Sequence, residues 1–239
     1  MKFDVVLGNP PYQKDTNAKR WVLWHEFVQK ASELSDKVAL VVPSSITSPC
    51  IAFQNIKNGC KLINFDVKQH FKGIGSTFCY YFFDANYSGD TTLIQDGKAY
   101  AISLKDKDFL PPVINEETIF QLSILEKKRE WKRGEFHTSD KSWQSETGIN
   151  VYHTNAQTLK TEMYHPNSEK IRVAITLSGY PKAFLVVNEY VSQACFWTEL
   201  DTIKEAEAYV EECNSERVQS ILNTFKWSGW NSKEVISML

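Results

Sequence analysis

The sequence has no long apolar run, no paired-cysteine motif and no histidine cluster, and each absence excludes a class of protein. No apolar stretch approaches the ~18 residues of a membrane-spanning helix, so we expect no membrane association. An odd number of unpatterned cysteines is typical of free thiols in a reducing cytoplasm and predicts neither a disulfide framework nor a metal site. The cysteines are Cys50, Cys60, Cys79, Cys195 and Cys213.

The sequence also has almost no net charge, which is −2 at pH 7. A protein that binds nucleic acid through an overall basic field is therefore excluded, and any DNA contact must use a local patch. The same value is too small for an acidic DNA mimic. Aromatic residues are plentiful, with seven Trp, ten Tyr and fourteen Phe. Such side chains build cores, and they also provide platforms on which bases stack.

The apolar pattern over residues 1–100 predicts an α/β fold in which strands alternate with helices. Residues 3–7 are expected to form a buried strand of a parallel sheet, and a second buried strand is expected to end at Pro43. The helical face of residues 20–35 comprises Trp24, Phe27, Val28, Ala31 and Leu34. The second buried strand covers residues 38–42. The remaining predicted elements are strands 61–67 and 77–83 and a helix over 53–60.

The second half of the sequence predicts a smaller α+β domain. Asp96-Gly97 is the signal for a tight hairpin turn within residues 85–112. Residues 134–168 are polar and weakly patterned, so we place the domain boundary there and expect domains over 1–135 and 150–239. Further predicted elements are helices 116–133, 202–213 and 215–227 and strands 172–177 and 183–187.

The segment Asn9-Pro10-Pro11-Tyr12 follows the first strand. Its residue types could hold the amino group of an adenine base during methylation. Adenine N6 is a poor nucleophile, and an enzyme that methylates it must first extrude the base from the helix. An Asn side-chain oxygen and the carbonyl of Pro10 can accept hydrogen bonds from N6, while Pro11 stiffens the loop and Tyr12 stacks on the base. The alternative is a diproline turn that only ends a strand.

This segment resembles the catalytic motif of adenine-N6 DNA methyltransferases of the gamma, Eco57I-like type. The resemblance covers residues 1–100, including the Val-Pro-Ser-Ser ending at 42–45, and extends into 150–239, where 178–180 and 226–231 are similar to target-recognition segments. It implies a partial Rossmann-like methyltransferase sheet, a site-specific DNA methyltransferase of a restriction-modification system or a phage, and double-stranded DNA as partner. It also implies that Phe78 or Phe83 packs against the extruded base. Core packing is the alternative for either.

The resemblance implies S-adenosylmethionine as cofactor, but its binding half is not evident. Only eight residues precede Asn9, so we expect a second chain or another segment to supply that half. Gly73 and Gly75, in Phe-Lys-Gly-Ile-Gly-Ser, match the glycine pattern of a turn that binds S-adenosylmethionine. The β-branched and aromatic residues that follow favour a strand-to-strand connection instead. The alternative function is a catalytically silent methyltransferase-like protein that binds DNA or a partner methyltransferase or restriction complex.

A basic cluster around Trp131 could contact DNA phosphates. The alternative is a solvated helix face on which the cations alternate with Glu126, Glu130 and Glu135. The basic cluster consists of Lys127, Lys128, Arg129, Lys132 and Arg133.

Overall fold

The computed structural model describes residues 2–16, 19–71, 77–154, 157–227 and 231–239. The chain divides into two compact units, Met1–Ser123 and Ile124–Leu239. The division lies nearer the amino terminus than the boundary region expected from the sequence. Among the helices of the described ranges, none is long and apolar enough to cross a membrane.

The first unit is built on a mixed six-stranded sheet with the strand order β1-β4-β6-β5-β7-β8. The pairs β1/β4 and β5/β7 are parallel, and the other three are antiparallel. A short hairpin, β2/β3, follows β1. The elements are β1 (Val6–Gly8), β2 (Gln13–Thr16), β3 (Lys19–Val22), α1 (Trp24–Leu34), β4 (Lys37–Pro43), α2 (Ile51–Ile56), β5 (Cys60–Asn64), β6 (Phe78–Asp84), β7 (Thr91–Gln95), β8 (Lys98–Ile102) and α3 (Glu116–Ile124).

The first strand is parallel to its neighbour, as predicted, but the prediction that it is buried was wrong. Phe3, Val5 and Leu7 are 49%, 43% and 70% exposed. The reason is the position of β1 at the end of the sheet order, where only β4 pairs with it in the described part of the chain. Apolar character alone does not reveal whether a strand is central or at an edge.

The core of the first unit lies between the sheet and the helices. The alternate residues Val38, Leu40 and Val42 of β4 are buried, which matches the period of two along a strand. On α1, Trp24, Val28 and Ala31 are buried, as predicted. Phe27, expected on the same face, is 41% exposed.

The Asp96-Gly97 turn joins β7 and β8, as predicted from the sequence. Both residues have positive φ, 53° and 71°, which is the backbone conformation that a two-residue hairpin turn requires. The carboxylate of Asp66 accepts hydrogen bonds from the backbone N–H groups of Asp96 and Gly97, at 2.6 and 2.9 Å.

The second unit combines two small sheets with three helices in its described residues, which is an α+β arrangement. Its sheets have the orders β11-β10-β14 and β13-β12-β15-β9. The elements are β9 (Lys132–Arg133), β10 (Ile149–Thr154), β11 (Gln157–Thr161), β12 (Arg172–Thr176), β13 (Ala183–Val186), β14 (Tyr190–Val191), β15 (Cys195–Glu199), α4 (Ile203–Asn214), α5 (Glu216–Thr224) and α6 (Lys233–Ile236). Thr202 and Ser215 cap α4 and α5 by accepting hydrogen bonds from backbone N–H groups.

The predicted helix over residues 116–133 ends early, at Ile124. Its second part is held in extended form, because the backbone N–H groups of Lys128 and Arg129 donate to the carbonyl of Ser237 at 2.8 and 3.2 Å. The side chain of Trp131 is fully buried, and Lys132–Arg133 pairs with β15. These tertiary contacts replace the hydrogen bonds that a longer helix would make within itself.

A buried ion pair organises the second unit. Arg172, on β12, is fully buried and donates to the carboxylate of Glu135 and to the carbonyl of Glu189. Glu135 also accepts from the backbone of Val191 at 3.1 Å and from Asn167 at 2.9 Å. Glu135 therefore does not belong to a solvated charged face, as the alternative interpretation of the basic segment assumed.

Candidate active site and nucleic-acid contacts

The strand directions bring the Asn-Pro-Pro-Tyr loop (Asn9–Tyr12) to one end of the sheet. The parallel strands β1 and β4 run towards the same end of the sheet, where Gly8 lies opposite Leu40 and β4 continues to Pro43. Phe78 begins the antiparallel strand β6 and lies opposite Pro43 in the sheet register. Residues far apart in the sequence therefore meet at the same sheet end as the loop. This is the edge at which α/β sheets usually bind ligands.

Within the loop, Tyr12 contacts both Asn9 and Phe78. The Tyr12 hydroxyl donates a hydrogen bond to the side-chain oxygen of Asn9. Its ring lies 4.9 Å from that of Phe78, and Phe71 lies 4.8 Å from Phe78 on centroid distances. Burial raises the pKa of Tyr12, and the hydrogen bond to Asn9 opposes that rise, so the hydroxyl stays protonated at neutral pH. Asn9 is exposed, while Pro10 is buried.

An aromatic cavity of about 600 Å³ adjoins the loop. Its volume is within the range of small-molecule sites, about 300–1,000 Å³. Its wall combines aromatic rings with the hydroxyls of Tyr12, Ser45 and Ser48, so it offers both stacking surfaces and polar groups. The lining residues are Tyr12, Gln13, Val22, Trp24, His25, Pro43, Ser45, Ser48 and Phe78.

The start of α1 contributes two residues to this cavity that the sequence did not single out as site residues. The carbonyl of Tyr12 accepts a hydrogen bond from the backbone N–H of Leu23 at 3.1 Å, which ties the start of α1 to the loop. Trp24 and His25 follow, with their rings 3.9 Å apart and nearly perpendicular. Burial lowers the pKa of His25. The β2/β3 hairpin returns the chain to the loop and so places these two residues at the cavity. The hairpin was not predicted from the sequence.

The structure brings only one of the two candidate stacking residues to the cavity. Phe78 is 4% exposed and lines it. Phe83 lies five residues further along β6, roughly 17 Å away at about 3.4 Å per residue. An odd spacing also puts the two side chains on opposite faces of the strand. Phe83 packs against Gly59, where an added Cβ would lie 2.6 Å from its ring.

The cofactor candidates Gly73 and Gly75 lie outside the described residues. In the ranges that the structure does describe, Gly8 ends β1, which is followed by β2, and every other glycine either precedes a strand or connects two strands. None of them lies in a turn that leads directly from a strand into a helix, where a dinucleotide or S-adenosylmethionine cradle requires it. The glycines concerned are Gly8, Gly59, Gly89, Gly97, Gly134, Gly148 and Gly179.

The basic cluster lies in the second unit, and all five of its side chains are exposed. Lys128, Arg129 and Lys132 line a groove of about 330 Å³ together with Glu130, Trp197, Thr198 and Glu199. Three cations of the cluster lie over aromatic rings, Arg129 over Tyr209 at 4.9 Å, Lys132 over Trp197 at 5.5 Å and Arg133 over Phe196 at 5.3 Å. The acid Glu199 is paired with Lys170 at 2.6 Å, which leaves the groove with an excess of positive charge.

Comparison with known proteins shows that the first part of the chain is similar to restriction-modification methylases. Residues 1–71 match the model of the Eco57I restriction-modification methylase family, which confirms the resemblance seen in the sequence. An uncharacterized adenine-specific methylase of Mycoplasma pneumoniae (strain ATCC 29342 / M129 / Subtype 1) is 31% identical over 148 residues, which cover 52% of this chain and 35% of the relative.

Among solved structures, the Type IIL restriction-modification enzyme MmeI in complex with DNA matches with a TM-score of 0.49 and 12% identity. The match covers 96% of this chain and 44% of the MmeI chain, and likeness at that level carries no inference about function. The chain thus spans about a third of its curated relative, at 35%, and less than half of the MmeI chain.

Proposed function

We propose that this chain is the catalytic-loop and recognition portion of a site-specific adenine-N6 DNA methyltransferase. The observation that carries the proposal is the meeting of Asn9, Tyr12 and Phe78 beside the aromatic cavity. An extruded base needs flat apolar surfaces to replace the stacking that it loses, and polar acceptors to hold its amino group. The loop and the cavity offer both at one end of the sheet.

In this proposal, each residue of the loop has a separate role in binding the adenine. The Asn9 side-chain oxygen and the Pro10 carbonyl accept hydrogen bonds from the N6 amino group, and Pro11 keeps these acceptors in place. Tyr12 and Phe78 stack on the ring. In the free protein, the Tyr12 hydroxyl donates to the Asn9 oxygen, and the second lone pair of that oxygen remains for the amino group of the base.

The methyl donor implied by the family is S-adenosylmethionine, and we propose that other residues hold it. The first unit would then be one part of a Rossmann-like sheet, completed at the open edge of β1 by a second chain or a further segment. The exposed Val5 and Leu7 on that edge support this arrangement, because an exposed apolar edge strand favours pairing with another strand. The short share of the relatives that this chain spans also supports it.

The second unit would bind double-stranded DNA and recognise the target sequence. Its exposed basic cluster supplies phosphate contacts, which position the duplex without reading its sequence. The turn at 178–180, considered for recognition, carries Tyr180, which is 63% exposed. The segment 226–231, also considered for recognition, is described only in part, since residues 228–230 lie outside the described ranges.

A second candidate is a catalytically silent methyltransferase-like protein that binds DNA or a partner methyltransferase or restriction complex. The glycine arrangement favours it, because no glycine of the described residues is placed for a cofactor cradle. Both candidates have the base site. Only the methyltransferase should transfer a methyl group when a second chain or segment supplies the cofactor-binding half.

The base site can be tested by fluorescence anisotropy with short duplexes. One duplex carries an adenine opposite an abasic site, a second carries the same adenine paired with thymine, and a third carries thymine opposite the abasic site. Extruding a base costs a few kcal/mol, least when it is unpaired, so we expect the first duplex to bind about tenfold tighter than the other two. Equal affinity for all three would refute a base site.

A further inference from the structure

His25 is a cavity residue with hydrogen-bonding groups to spare. The Tyr12 hydroxyl is engaged with Asn9, and the Ser48 hydroxyl donates to the carbonyl of Ser45 at 2.6 Å. The imidazole of His25 contacts Trp24 through its ring, and no hydrogen bond joins its nitrogens to another described residue. An imidazole at a cavity wall with no such partner can bind a polar ligand.

The protonation state of His25 decides what it can offer. Since burial lowers its pKa below the ordinary value, the imidazole is neutral at pH 7 and above. A neutral imidazole has one N–H donor and one acceptor nitrogen. The N–H can donate to a ring nitrogen of a purine, and it provides no fixed charge that would attract phosphate instead.

We propose that His25 donates a hydrogen bond to a ring nitrogen next to the amino group of the extruded adenine, N1 or N7, and is thereby a specificity-determining residue. The proposal rests on the adenine site proposed above and adds a contact to it. Asn9 and Pro10 hold N6, while N1 is bonded to the carbon that bears N6 and N7 is bonded to the next ring carbon, so that one of these nitrogens lies on each side of the amino group. A donor beside N6 can therefore read the ring itself, whereas stacking on Tyr12 and Phe78 accepts any base.

The contact makes the site selective because an unpaired buried donor is costly. A base with carbon or N–H at the contacted position leaves the imidazole N–H without an acceptor, while stacking is unchanged. The loss of affinity should therefore appear when one particular ring nitrogen is replaced by carbon, and not when another is replaced. It should also disappear when the donor of His25 is removed.

Deaza-adenines test this with the full chain and the abasic duplex. In the unmodified protein, we expect either 1-deazaadenine or 7-deazaadenine to bind about three- to tenfold more weakly than adenine, the effect of one neutral hydrogen bond. The control base is 3-deazaadenine, whose altered position is remote from N6, and it should bind like adenine. Equal affinity for all four bases would overturn the proposal.

Variants locate the effect on this side chain. His25→Phe keeps a ring against Trp24 but has no N–H, so it should bind adenine and the sensitive deaza base equally. His25→Gln retains a donor and should restore part of the discrimination. Ser32→Ala is the matched control, since Ser32 lies on the same helix outside the cavity and its hydroxyl already donates to the carbonyl of Val28 at 3.1 Å, and it should keep the full discrimination.

The outcomes separate this inference from the proposed function. A protein that prefers the extruded adenine but ignores deaza substitution has the base site without the His25 contact. Persistence of the deaza penalty in His25→Phe would overturn the contact in the same way. If His25→Phe does not fold by circular dichroism, the deaza series on the unmodified protein still decides. No preference for extruded adenine at all would refute the proposed function itself.

Discussion

The hydroxyl of Tyr12 donates a hydrogen bond to the side-chain oxygen of Asn9, three residues earlier in the same loop. The residue proposed to stack on the base thus holds the residue proposed to bind its amino group. The bond orients the Asn9 amide in the free protein and leaves the second lone pair of its oxygen for the adenine amino group. Both residues can therefore be tested by separate substitutions.

Asn9→Ala should abolish methyl transfer by the completed assembly while DNA affinity remains nearly unchanged. The reason is that Asn9 acts on the reacting amino group and not on the phosphates. Methyl incorporation and anisotropy on one DNA substrate give the two measurements. Asn55→Ala, at an exposed asparagine of α2, is the control and should change neither. Undiminished turnover in Asn9→Ala would exclude the role.

Tyr12→Ala and Tyr12→Phe should separate stacking from the hydroxyl contact. Loss of the ring should weaken binding to the abasic-paired adenine by about 1–3 kcal/mol, and binding to ordinary duplex much less. Tyr12→Phe keeps the ring and frees the acceptor of Asn9, so its affinity should stay close to that of the unmodified protein. Equal losses on both DNAs for Tyr12→Ala would point to a purely structural tyrosine.

The isolated chain should bind S-adenosylmethionine at best with a dissociation constant near 1 mM, about −4 kcal/mol, and should methylate nothing. Without a strand–glycine turn–helix cradle in the described residues, contacts from the loop are too few for tighter binding. Isothermal titration measures this directly. Micromolar binding would contradict it and would direct attention to Gly73 and Gly75. Methyl transfer restored by a co-expressed cofactor-binding half would separate the enzyme from the silent protein.

Lys128→Ala, Arg129→Ala and Lys132→Ala should each weaken binding to duplexes of different sequence by a similar factor. Each lost phosphate contact should also reduce the slope of log K against log salt by roughly 0.9. Anisotropy titrations at several salt concentrations give the slope. Lys204→Ala, an exposed lysine on α4, is the control from the same unit. Slopes unchanged in all three variants would indicate that the groove does not face DNA.

Glu135→Gln should destabilise the second unit by about 3–5 kcal/mol, because it leaves the fully buried Arg172 without its charged partner. The half-exposed pair Lys170–Glu199 is the matched control, and Glu199→Gln should cost no more than about 1 kcal/mol. Denaturant unfolding measures both variants. Similar small losses for the two would show that the buried pair contributes little.

The sequence by itself determined the features that depend on neighbouring residues. The Asp96-Gly97 turn and the caps Thr202 and Ser215 are local, since each satisfies backbone groups within a few residues. The strand that ends at Pro43 was likewise predicted from its apolar pattern. The Asn-Pro-Pro-Tyr loop belongs to this group as well, because its four residues are contiguous.

Only the tertiary structure decided which distant residues meet at that loop. Phe78 and Phe83 are equivalent in type, and strand register and face separate them. His25 enters the cavity because a hairpin and one backbone hydrogen bond return the chain to Tyr12. The exposure of Leu7 follows from the place of β1 in the sheet. The burial of these side chains and their distance from the loop depend on strands that are far away in the sequence. A local residue pattern does not show which strands will be neighbours in the sheet.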